Sequence, residues 1–531
     1  MTKRAMAVRI VKRLQSAGYE AYFAGGCVRD ALRKKTPVDY DIAASAKPAE
    51  VARLFKKTIP VGKAFGVMTV VEGGINFEVT TFRTEGAYKD GRHPSSVKFS
   101  SLAEDAKRRD FTINGMFYDP MKRKFIDLVG GRADLKRHLV RTIGKPAERF
   151  AEDKLRVLRA VRFAAELDFR LHPETRRAIQ KHASGIKAVS AERIREELKK
   201  ILLSPNRRKG IKLLDKTGLL RRILPEVSRL KGVKQPPQFH PEGDVYVHTL
   251  ACLKHLPPKM GWELVLATLL HDIGKPRTFM ITDLPAPRPG KFFVYAIKCD
   301  NDSIYIGQTD NLLRRWQEHL EGTAARWTVL HKPISIVYYD EYGSREESVK
   351  REQELKTGFG RKWLKREIAA GRARQAGRIR FHEHERVGKE MSEKICRRLK
   401  LSNKETEKVA YLVDKHMLFK DIKQMRVSTL KRLFSQPFYP ELSELHRADR
   451  LASDLDLKPH YYAQRMYRKL SREMLKPPPL INGYDLIKMK LKPGPLFGKI
   501  LKAVEEAQLE KTVKTRDEAL VLARLSASQA G

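Results

Sequence analysis

The order of apolar and polar positions predicts a first part in which helices and strands alternate. Apolar residues recur at helical spacing over residues 6–17, and an apolar run at 21–24 predicts a short buried strand. Alternation over residues 38–43 predicts a second strand with Val38 packed on its inner side, and residues 67–82 have the pattern of a hairpin around two glycines. A longer amphipathic pattern over residues 150–167 predicts a continuous helix.

The rest of the chain has helical periodicity with one interruption. Residues 282–290 are rich in proline and residues 371–377 contain glycine at both ends, so both segments read as linkers. The part between them has its own pattern of strands and helices, and helical periodicity resumes after it. We therefore predict a small α/β domain inserted into a helical domain, with the ends of the insertion close together.

The composition of the chain indicates that its partner is a polyanion. Lysine and arginine total 107 against 63 acidic residues, a net charge of +44, which favours nucleic acid. The four cysteines are far apart and form no CxxC pair, which argues against a disulfide framework or a zinc knuckle and favours a reducing compartment. No apolar run approaches the roughly 20 residues that cross a bilayer, and the N-terminus has no signal pattern, so we expect a cytoplasmic protein.

Two segments have the residue types that bind a nucleoside triphosphate. Gly25 and Gly26 allow the backbone to approach phosphates closely, and Arg29 follows about one helical turn later, in a helix whose first amides would face them. In the later segment RRDFTIN, Arg109 can bind phosphate and Asp110 can accept a hydrogen bond from a ribose hydroxyl. These segments predict a phosphate site.

Carboxylates predict a metal site beside it. The side chains of Asp39 and Asp41 would project from the same face of the strand 38–43, because side chains alternate along a strand. Two such carboxylates repel each other unless a cation lies between them, and Mg²⁺ bound to substrate phosphates is the usual one. Glu78 is either a third carboxylate at this site or a glutamate on an edge face.

The helix predicted over residues 150–167 has a charged stripe beside its apolar one. Steps of three place four residues along this stripe, Asp153, Arg156, Arg159 and Arg162. We expect the arginines to face outward from a well-packed helix. An acid and an arginine fixed in this way can offer an acceptor and a donor to the edge of a nucleobase.

These motifs together resemble the class II tRNA nucleotidyltransferase family, which contains the CCA-adding enzymes and the bacterial poly(A) polymerases. The resemblance rests on GGCVRD, DYD, the predicted loop FRTEGAYKDGRHP at residues 82–94, RRDFTIN, EDKLRVLRAVRF and ERIREEL, and it covers nearly all of residues 1–225. It implies an α+β multidomain fold with a polymerase-β-like α/β head and a mostly helical neck, body and tail. It implies that Asp39 and Asp41 are catalytic and bind Mg²⁺. The nucleotide-binding residues that it implies are Gly26, Arg29, Arg109, Asp110, Asp153, Arg156, Arg159 and Arg162.

The implied activity is addition of CCA, or part of it, to the 3′ end of tRNA without a nucleic-acid template. CTP and ATP are the expected substrates and tRNA the expected partner. A poly(A) polymerase is the alternative within the family. From a different class, a nucleic-acid processing nuclease is the alternative, with the first domain serving for RNA binding.

Histidines and aspartates in the helical part resemble the HD phosphohydrolase superfamily. The matching positions in chain order are His248, His271, Asp272, His384, His416 and Asp449. The resemblance implies one or two divalent metals, in addition to Mg²⁺ in the head, that activate water for phosphoester hydrolysis. An inactive, structural HD core remains the alternative.

The interrupting segment resembles a small GIY-YIG nuclease domain. Five positions match in order, Tyr295, Tyr305, Arg315, His319 and Glu352. The resemblance implies that these residues are catalytic, that Glu352 binds a divalent metal, and that DNA is a partner of this domain. The first motif keeps only its tyrosine, and cleavage activity stays open.

Together with these patterns, the resemblances imply six segments. They are a catalytic head at 1–145, a helical neck with the nucleotide-selecting helix and an RNA-binding region at 146–235, the first HD part at 236–281, the GIY-YIG insertion at 291–370, the second HD part at 377–455 and a helical tRNA-binding tail at 456–531.

Overall fold

The computed structural model describes the chain apart from residues 61–65, 87–96, 237–239, 241–242, 283, 300, 371, 374–377, 470–474, 476 and 530–531. Two compact units are present, Met1–Ser228 with Arg398–Lys400 (unit 1) and Arg229–Arg397 with Leu401–Gly531 (unit 2). The limits of the six predicted segments stay predictions. Most of the loop of residues 82–94 and part of the linker 371–377 lie outside the described residues. Within the described ranges, no helix combines the length and apolarity needed to cross a membrane.

A seven-stranded sheet is the centre of the head in unit 1. The strands of this unit are β1 Ala21–Ala24, β2 Asp41–Ala44, β3 Thr58–Ile59, β4 Val67–Glu72, β5 Ile75–Thr81, β6 Arg83–Glu85, β7 Val97–Phe99, β8 Phe117–Asp119, β9 Lys124–Ile126, β10 Leu139–Val140 and β11 Arg170–Leu171. The order in the large sheet is β3-β4-β5-β2-β1-β8-β9. Strand β1 and the hairpin β4–β5 confirm the predicted strand and hairpin.

Helices complete unit 1. They are α1 Lys3–Ser16, α2 Gly26–Leu32, α3 Pro48–Leu54, α4 Leu102–Arg108, α5 Gly131–Lys136, α6 Pro146–Glu152, α7 Arg156–Glu166, α8 Pro173–His182, α9 Ala191–Leu203, α10 Arg207–Lys216, α11 Leu220–Ile223 and α12 Pro225–Ser228. Helix α1 confirms the first predicted helix. Its inner face buries Ile10, Val11 and Leu14 completely, and the Thr2 hydroxyl accepts a hydrogen bond from the Ala5 amide at its start.

Two expectations about unit 1 were wrong in their bounds. Strand β2 begins at Asp41, so Asp39 precedes the strand, and Val38 is 81% exposed instead of packed inside. The helix predicted over residues 150–167 is two helices, because α6 ends at Glu152 and α7 begins at Arg156, with three residues between them. Asp153 has an extended backbone there, and its carboxylate accepts a hydrogen bond from the Leu155 amide, which competes with continuation of the helix.

Unit 2 is mostly helical. Its helices are α13 Val245–His255, α14 Trp262–Leu270, α15 Lys275–Thr278, α16 Leu312–Glu321, α17 Arg326–Leu330, α18 Arg345–Lys356, α19 Gly358–Ala369, α20 His384–Arg398, α21 Asn403–Lys415, α22 Val427–Phe434, α23 Tyr439–Ala452, α24 Lys458–Lys469, α25 Gly483–Lys488, α26 Pro495–Leu509 and α27 Arg516–Ser528. Its strands are β12 Phe279–Thr282, β13 Phe292–Cys299, β14 Ile304–Thr309, β15 Pro333–Tyr342 and β16 Arg378–Phe381.

Strands β12 and β16 join the two ends of the insertion. They pair antiparallel, with Phe279 opposite Phe381 and Thr282 opposite Arg378. Between them lies a three-stranded sheet in the order β14-β13-β15 with its own packed core. The expectation that the ends of the insertion lie close together is confirmed, and the ladder lets the helical part continue across the inserted domain.

Candidate active sites

The first candidate site is at the start of β2 in unit 1. Asp41 opens β2, and the parallel pairing of β2 with β5 brings Glu78 beside it. Asp39 lies just before the strand, where its Oδ1 is 2.5 Å from Lys3 Nζ. Desolvation raises the pKa of Asp41, the Glu78 and Asp39 carboxylates raise it further, and Arg109 opposes them. A divalent cation would relieve this repulsion, so these carboxylates fit a metal site.

Gly25 leaves room for two functional side chains beside its backbone. Its φ is +73°, and a Cβ there would lie 3.3 Å from Arg109 Nη1 and 4.0 Å from Asp41 Oδ2. Arg109 is fixed in place by hydrogen bonds of 3.2 and 3.0 Å to Oδ2 of the buried Asp105 and by the Phe117 ring, whose centroid is 4.9 Å away. A fixed cation thus lies next to the candidate metal ligands.

A chain of hydrogen bonds connects the glycine segment to helix α7. Gly26 opens α2, and Arg29 from the same helix donates to Asn114 Oδ1 at 2.8 Å. Asn114 in turn lies 3.5 Å from Asp110 Oδ1, and Arg159 donates from Nε and Nη2 to Asp110 Oδ2 at 2.9 and 2.6 Å. Burial would raise the pKa of Asp110, but the Arg159 guanidinium outweighs it and lowers that pKa. The predicted ribose residue and one predicted base-selecting residue are therefore in direct contact.

The other members of the charged stripe are held by ion pairs. The Asp153 carboxylate accepts from Arg193 Nη2 at 3.1 Å, and Arg162 Nε donates to Glu197 at 2.5 Å. Arg156 Nη1 donates to the carboxylate of Glu152, the last residue of α6, at 2.5 Å. Arg156 and Arg162 are buried, so the expectation that the arginines face outward was wrong for these two. Their carboxylate partners allow them to be buried while charged.

The second candidate site lies in the inserted domain of unit 2. The Tyr295 hydroxyl is 2.8 Å from His319 Nε2 and accepts a 3.2 Å hydrogen bond from Arg315 Nε. The other ring nitrogen of His319 lies 2.8 Å from Thr328 Oγ1, and the Tyr305 ring centroid is 5.0 Å from the histidine ring. Four of the five residues from the sequence prediction therefore form one contact network.

Glu352 completes this group. Its carboxylate pairs with Lys356 Nζ at 2.6 Å. Burial raises the pKa of Tyr295, with a smaller contribution from the charge of Glu352. Burial and the charge of Arg315 lower the pKa of His319 to about 4. At neutral pH the imidazole is therefore neutral, and Glu352 offers an oxygen ligand to a divalent metal.

The third candidate site combines helices of the predicted HD region in unit 2. In a first group of donors, His248 Nε2 is 3.4 Å from His271 Nε2 and 2.9 Å from Asp449 Oδ1. Cys252 Sγ is 3.3 Å from the same His248 nitrogen. One donor atom from each of the four residues lies within 4.8 Å of the others. His271 Nδ1 is bonded to the Thr268 carbonyl at 2.8 Å, which turns Nε2 toward the group.

A second group of donors adjoins the first through Asp272. Its Oδ1 is 3.4 Å from His384 Nε2 and 3.8 Å from His416 Nε2, and these two nitrogens are 3.2 Å apart. Its Oδ2 faces the first group, 3.3 Å from His271 Nε2, and Lys275 Nζ is 2.8 Å from it. Imidazole nitrogens and carboxylates at these separations fit one or two divalent metals. A cavity of about 770 Å³ opens at this second group.

Several residues of these sites were absent from the sequence prediction. They are Asp105, Asn114, Arg193, Glu197, Cys252, Lys275 and Thr328. Asn114 and Lys275 lie within the motifs RRDFTIN and HDIGKP, so those motifs could have identified them. Cys252 follows His248 by four residues on a predicted helix, which also places it on the same face. Arg193 and Glu197 lie within the motif ERIREEL, so that motif could also have identified them. Asp105 and Thr328 lie outside the quoted motifs.

Four family models match segments of the chain. Residues 21–141 match the poly(A) polymerase head domain, and residues 168–230 match a probable RNA- and SrmB-binding site of polymerase A. Residues 291–365 match the GIY-YIG catalytic domain, and residues 385–523 match a putative tRNA nucleotidyltransferase domain 2. The head, the RNA-binding segment and the insertion therefore have separate support.

Curated relatives include CCA-adding enzymes of Lactobacillus gasseri and Anoxybacillus flavithermus. The first is 45% identical over 237 residues, 44% of this chain and 58% of the relative, and the second is 46% identical over 226 residues, 42% and 56%. The chain thus spans less than two thirds of the length of either relative.

Solved structures extend the comparison along the whole chain. The Bacillus stearothermophilus CCA-adding enzyme in complex with CTP has 26% identity and a TM-score of 0.58, with 100% of this chain and 99% of that chain covered. The Thermotoga maritima CCA-adding enzyme complexed with tRNA has 17% identity, a TM-score of 0.50 and coverage of 98% and 95%, which supports the fold alone. By these matches residues 21–141 and 168–230 are similar to the head and RNA-binding segments of CCA-adding enzymes and poly(A) polymerases, and residues 291–365 are similar to a GIY-YIG catalytic domain.

Proposed function

We propose that this protein adds C, C and A, or part of that sequence, to the 3′ end of tRNA from CTP and ATP. The observation that carries this proposal is the convergence of Asp41, Arg109 and the Asp110–Arg159 pair around the glycine turn in unit 1. It combines carboxylates for a metal, a cation for phosphate and a polar pair for a nucleoside. The similarity to an enzyme described in complex with CTP supports the same substrate class.

In this proposal Asp39 and Asp41 hold Mg²⁺, which supplies Lewis-acid stabilisation of the triphosphate and the leaving pyrophosphate. Arg109 neutralises phosphate charge, and its bonds to the buried Asp105 keep it aimed at the site. Arg29 and Gly26 lie where the triphosphate would pass. Glu78 serves as a third carboxylate beside Asp41, since its charge already contributes to the raised pKa there.

We assign base selection chiefly to Arg159 and Asp153. About a third of the Arg159 side chain is exposed, and the bonds to Asp110 leave other guanidinium donors for a nucleobase edge. Arg156 and Arg162 are held in buried ion pairs, so their proposed role is to fix α7 beneath the nucleotide. In this proposal, side chains of the protein replace base pairing to a template in the choice between CTP and ATP.

Three other functions remain as candidates, each with an observation in its favour. A poly(A) polymerase would use the same head, whose matching family model is named for that enzyme. A nuclease acting on DNA would use the inserted domain, where Tyr295, Arg315 and His319 form one network. The HD donors suit a metal-dependent phosphohydrolase.

We propose a cytoplasmic location, consistent with four buried cysteines that form no disulfide.

Parallel assays separate these candidates. Purified protein is incubated with tRNA that lacks its 3′ CCA in the presence of CTP and ATP, and separately with plasmid DNA and Mg²⁺. The proposal expects short, defined tRNA extension that Asp41→Ala abolishes. A long adenosine tail would favour the polymerase alternative, and DNA cleavage without tRNA extension would favour the nuclease.

A further inference from the structure

The HD centre contains a donor that the HD resemblance does not include. Cys252 lies on α13, one helical turn after His248, and its side chain is completely buried. Its Sγ points at the His248 nitrogen from 3.3 Å, inside the group formed with His271 and Asp449. The protein therefore presents two nitrogens, one sulfur and one oxygen to a common point.

The spacing of these donors suits one tetrahedral ion. Zn–N bonds of about 2.0–2.1 Å and Zn–S bonds of about 2.3 Å place tetrahedral ligand atoms about 3.3–3.6 Å apart. The nitrogens of His248 and His271 are 3.4 Å apart, and Cys252 Sγ is 3.3 Å from the first of them. Asp449 Oδ1 lies 2.9 Å from His248 Nε2 and 4.0 Å from His271 Nε2. The first distance is shorter and the second longer than the separation expected for tetrahedral ligands.

We propose that Cys252 is a metal ligand of the HD centre and that this first position takes Zn²⁺ in preference to Mg²⁺. Thiolate and imidazole ligands favour Zn²⁺, whereas Mg²⁺ requires six oxygen-type ligands in octahedral geometry. As the sulfur–zinc bond forms, the S–H bond breaks and its proton leaves to solvent. Asp272, His384 and His416 then form a separate second position without sulfur.

The competing explanation is structural. A buried thiol can donate a weak hydrogen bond to an imidazole at the same 3.3 Å, and cysteine is a common small apolar core residue. In that case Cys252 contributes packing and binds no ion. The two explanations differ in whether a sulfur–metal bond exists, which spectroscopy detects independently of any enzymatic activity.

The test uses the full chain, stripped of metal under reducing conditions and titrated with Co²⁺ as a spectroscopic substitute for Zn²⁺. The wild type is expected to develop a thiolate-to-cobalt charge-transfer band in the near ultraviolet. Cys252→Ala is expected to lose this band and to bind Zn²⁺ at least about tenfold more weakly. Removal of a residue that only supports the metal ligands already lowers metal affinity by about this factor. Unchanged far-ultraviolet circular dichroism establishes that the variant is folded.

Cys396→Ala is the matched control, because Cys396 is equally buried in the same unit and lies outside both donor groups. It should retain the band and the affinity. His271→Ala should lose the band, which places the signal at this centre. A band that persists in Cys252→Ala would overturn the proposal, as would a wild-type protein that binds Co²⁺ without any charge-transfer band or binds none. If Cys252→Ala fails to fold, Cys252→Ser is used, and a wild-type spectrum from it would equally contradict the proposal.

Discussion

Arg159→Lys is the substitution that most directly probes how unit 1 would choose a nucleotide. Arg159 donates from two nitrogens to the same Asp110 oxygen at 2.9 and 2.6 Å, so its remaining donors have a fixed direction. Lysine keeps the charge but has no planar fork and can replace only one of these bonds well. The substitution therefore changes orientation while the local charge stays constant.

The magnitude follows from the bond that is lost. A hydrogen bond to a charged group contributes about 1.5–3 kcal/mol. Because about 1.4 kcal/mol corresponds to a factor of ten, discrimination against UTP and GTP should fall by about 10–100-fold. The assay measures kcat/KM for single-nucleotide addition of each of the four nucleotides to tRNA that lacks its 3′ end.

Arg9→Lys is the matched control for this experiment. Arg9 also pairs with a carboxylate, Glu72 at 3.3 Å, but its side chain is 61% exposed, so the same exchange should leave selectivity unchanged. If Arg159→Lys discriminated among the four nucleotides as the wild type does, the assignment of base selection to the Asp110–Arg159 pair would be refuted.

Three further outcomes are expected. Asp41→Ala should abolish CTP and ATP incorporation while tRNA binding in a filter assay survives, and retained incorporation would exclude Asp41 as a metal ligand. Glu197→Gln weakens the buried partner of Arg162 and should lower the free energy of unfolding of unit 1 by about 1–3 kcal/mol, measured by denaturant titration. The folded pKa of His319 is about 4 against an ordinary 6.5, so the native inserted domain binds fewer protons than the unfolded one. Its stability should therefore fall as pH drops from 6.5 toward 4, and hydrogen exchange of residues 291–365 should show this dependence in the wild type and lose it in His319→Asn.

Local patterns predicted much of the fold because they depend on neighbours in sequence. The run Ala21–Ala24 became a strand since it is short, apolar and followed by glycine, and the glycine pair 73–74 marked the hairpin. Val38 shows the limit of this reasoning. The alternation of apolar and polar residues includes Val38, but β2 begins only at Asp41, where its pairing with β1 begins.

The candidate sites were predictable where a motif carried them and less so where distant partners decide the outcome. The order of histidines and aspartates predicted a set of donor side chains, and the fold brings these side chains together in two adjoining groups. A charged stripe on α7 suggested a solvent-facing surface, yet Arg162 is buried because Glu197, from another helix, neutralises it. Sequence spacing along one helix contains no information about such a partner.

The central proposal is that this protein adds C, C and A, or part of that sequence, to the 3′ end of tRNA. Its most direct test is tRNA lacking the 3′ CCA, incubated with CTP alone, ATP alone or both, with products resolved at single-nucleotide length. We expect a short extension of defined length, with at most two added nucleotides from CTP alone and at most three from CTP and ATP together. A long adenosine tail with ATP, or no extension under any condition, would contradict it.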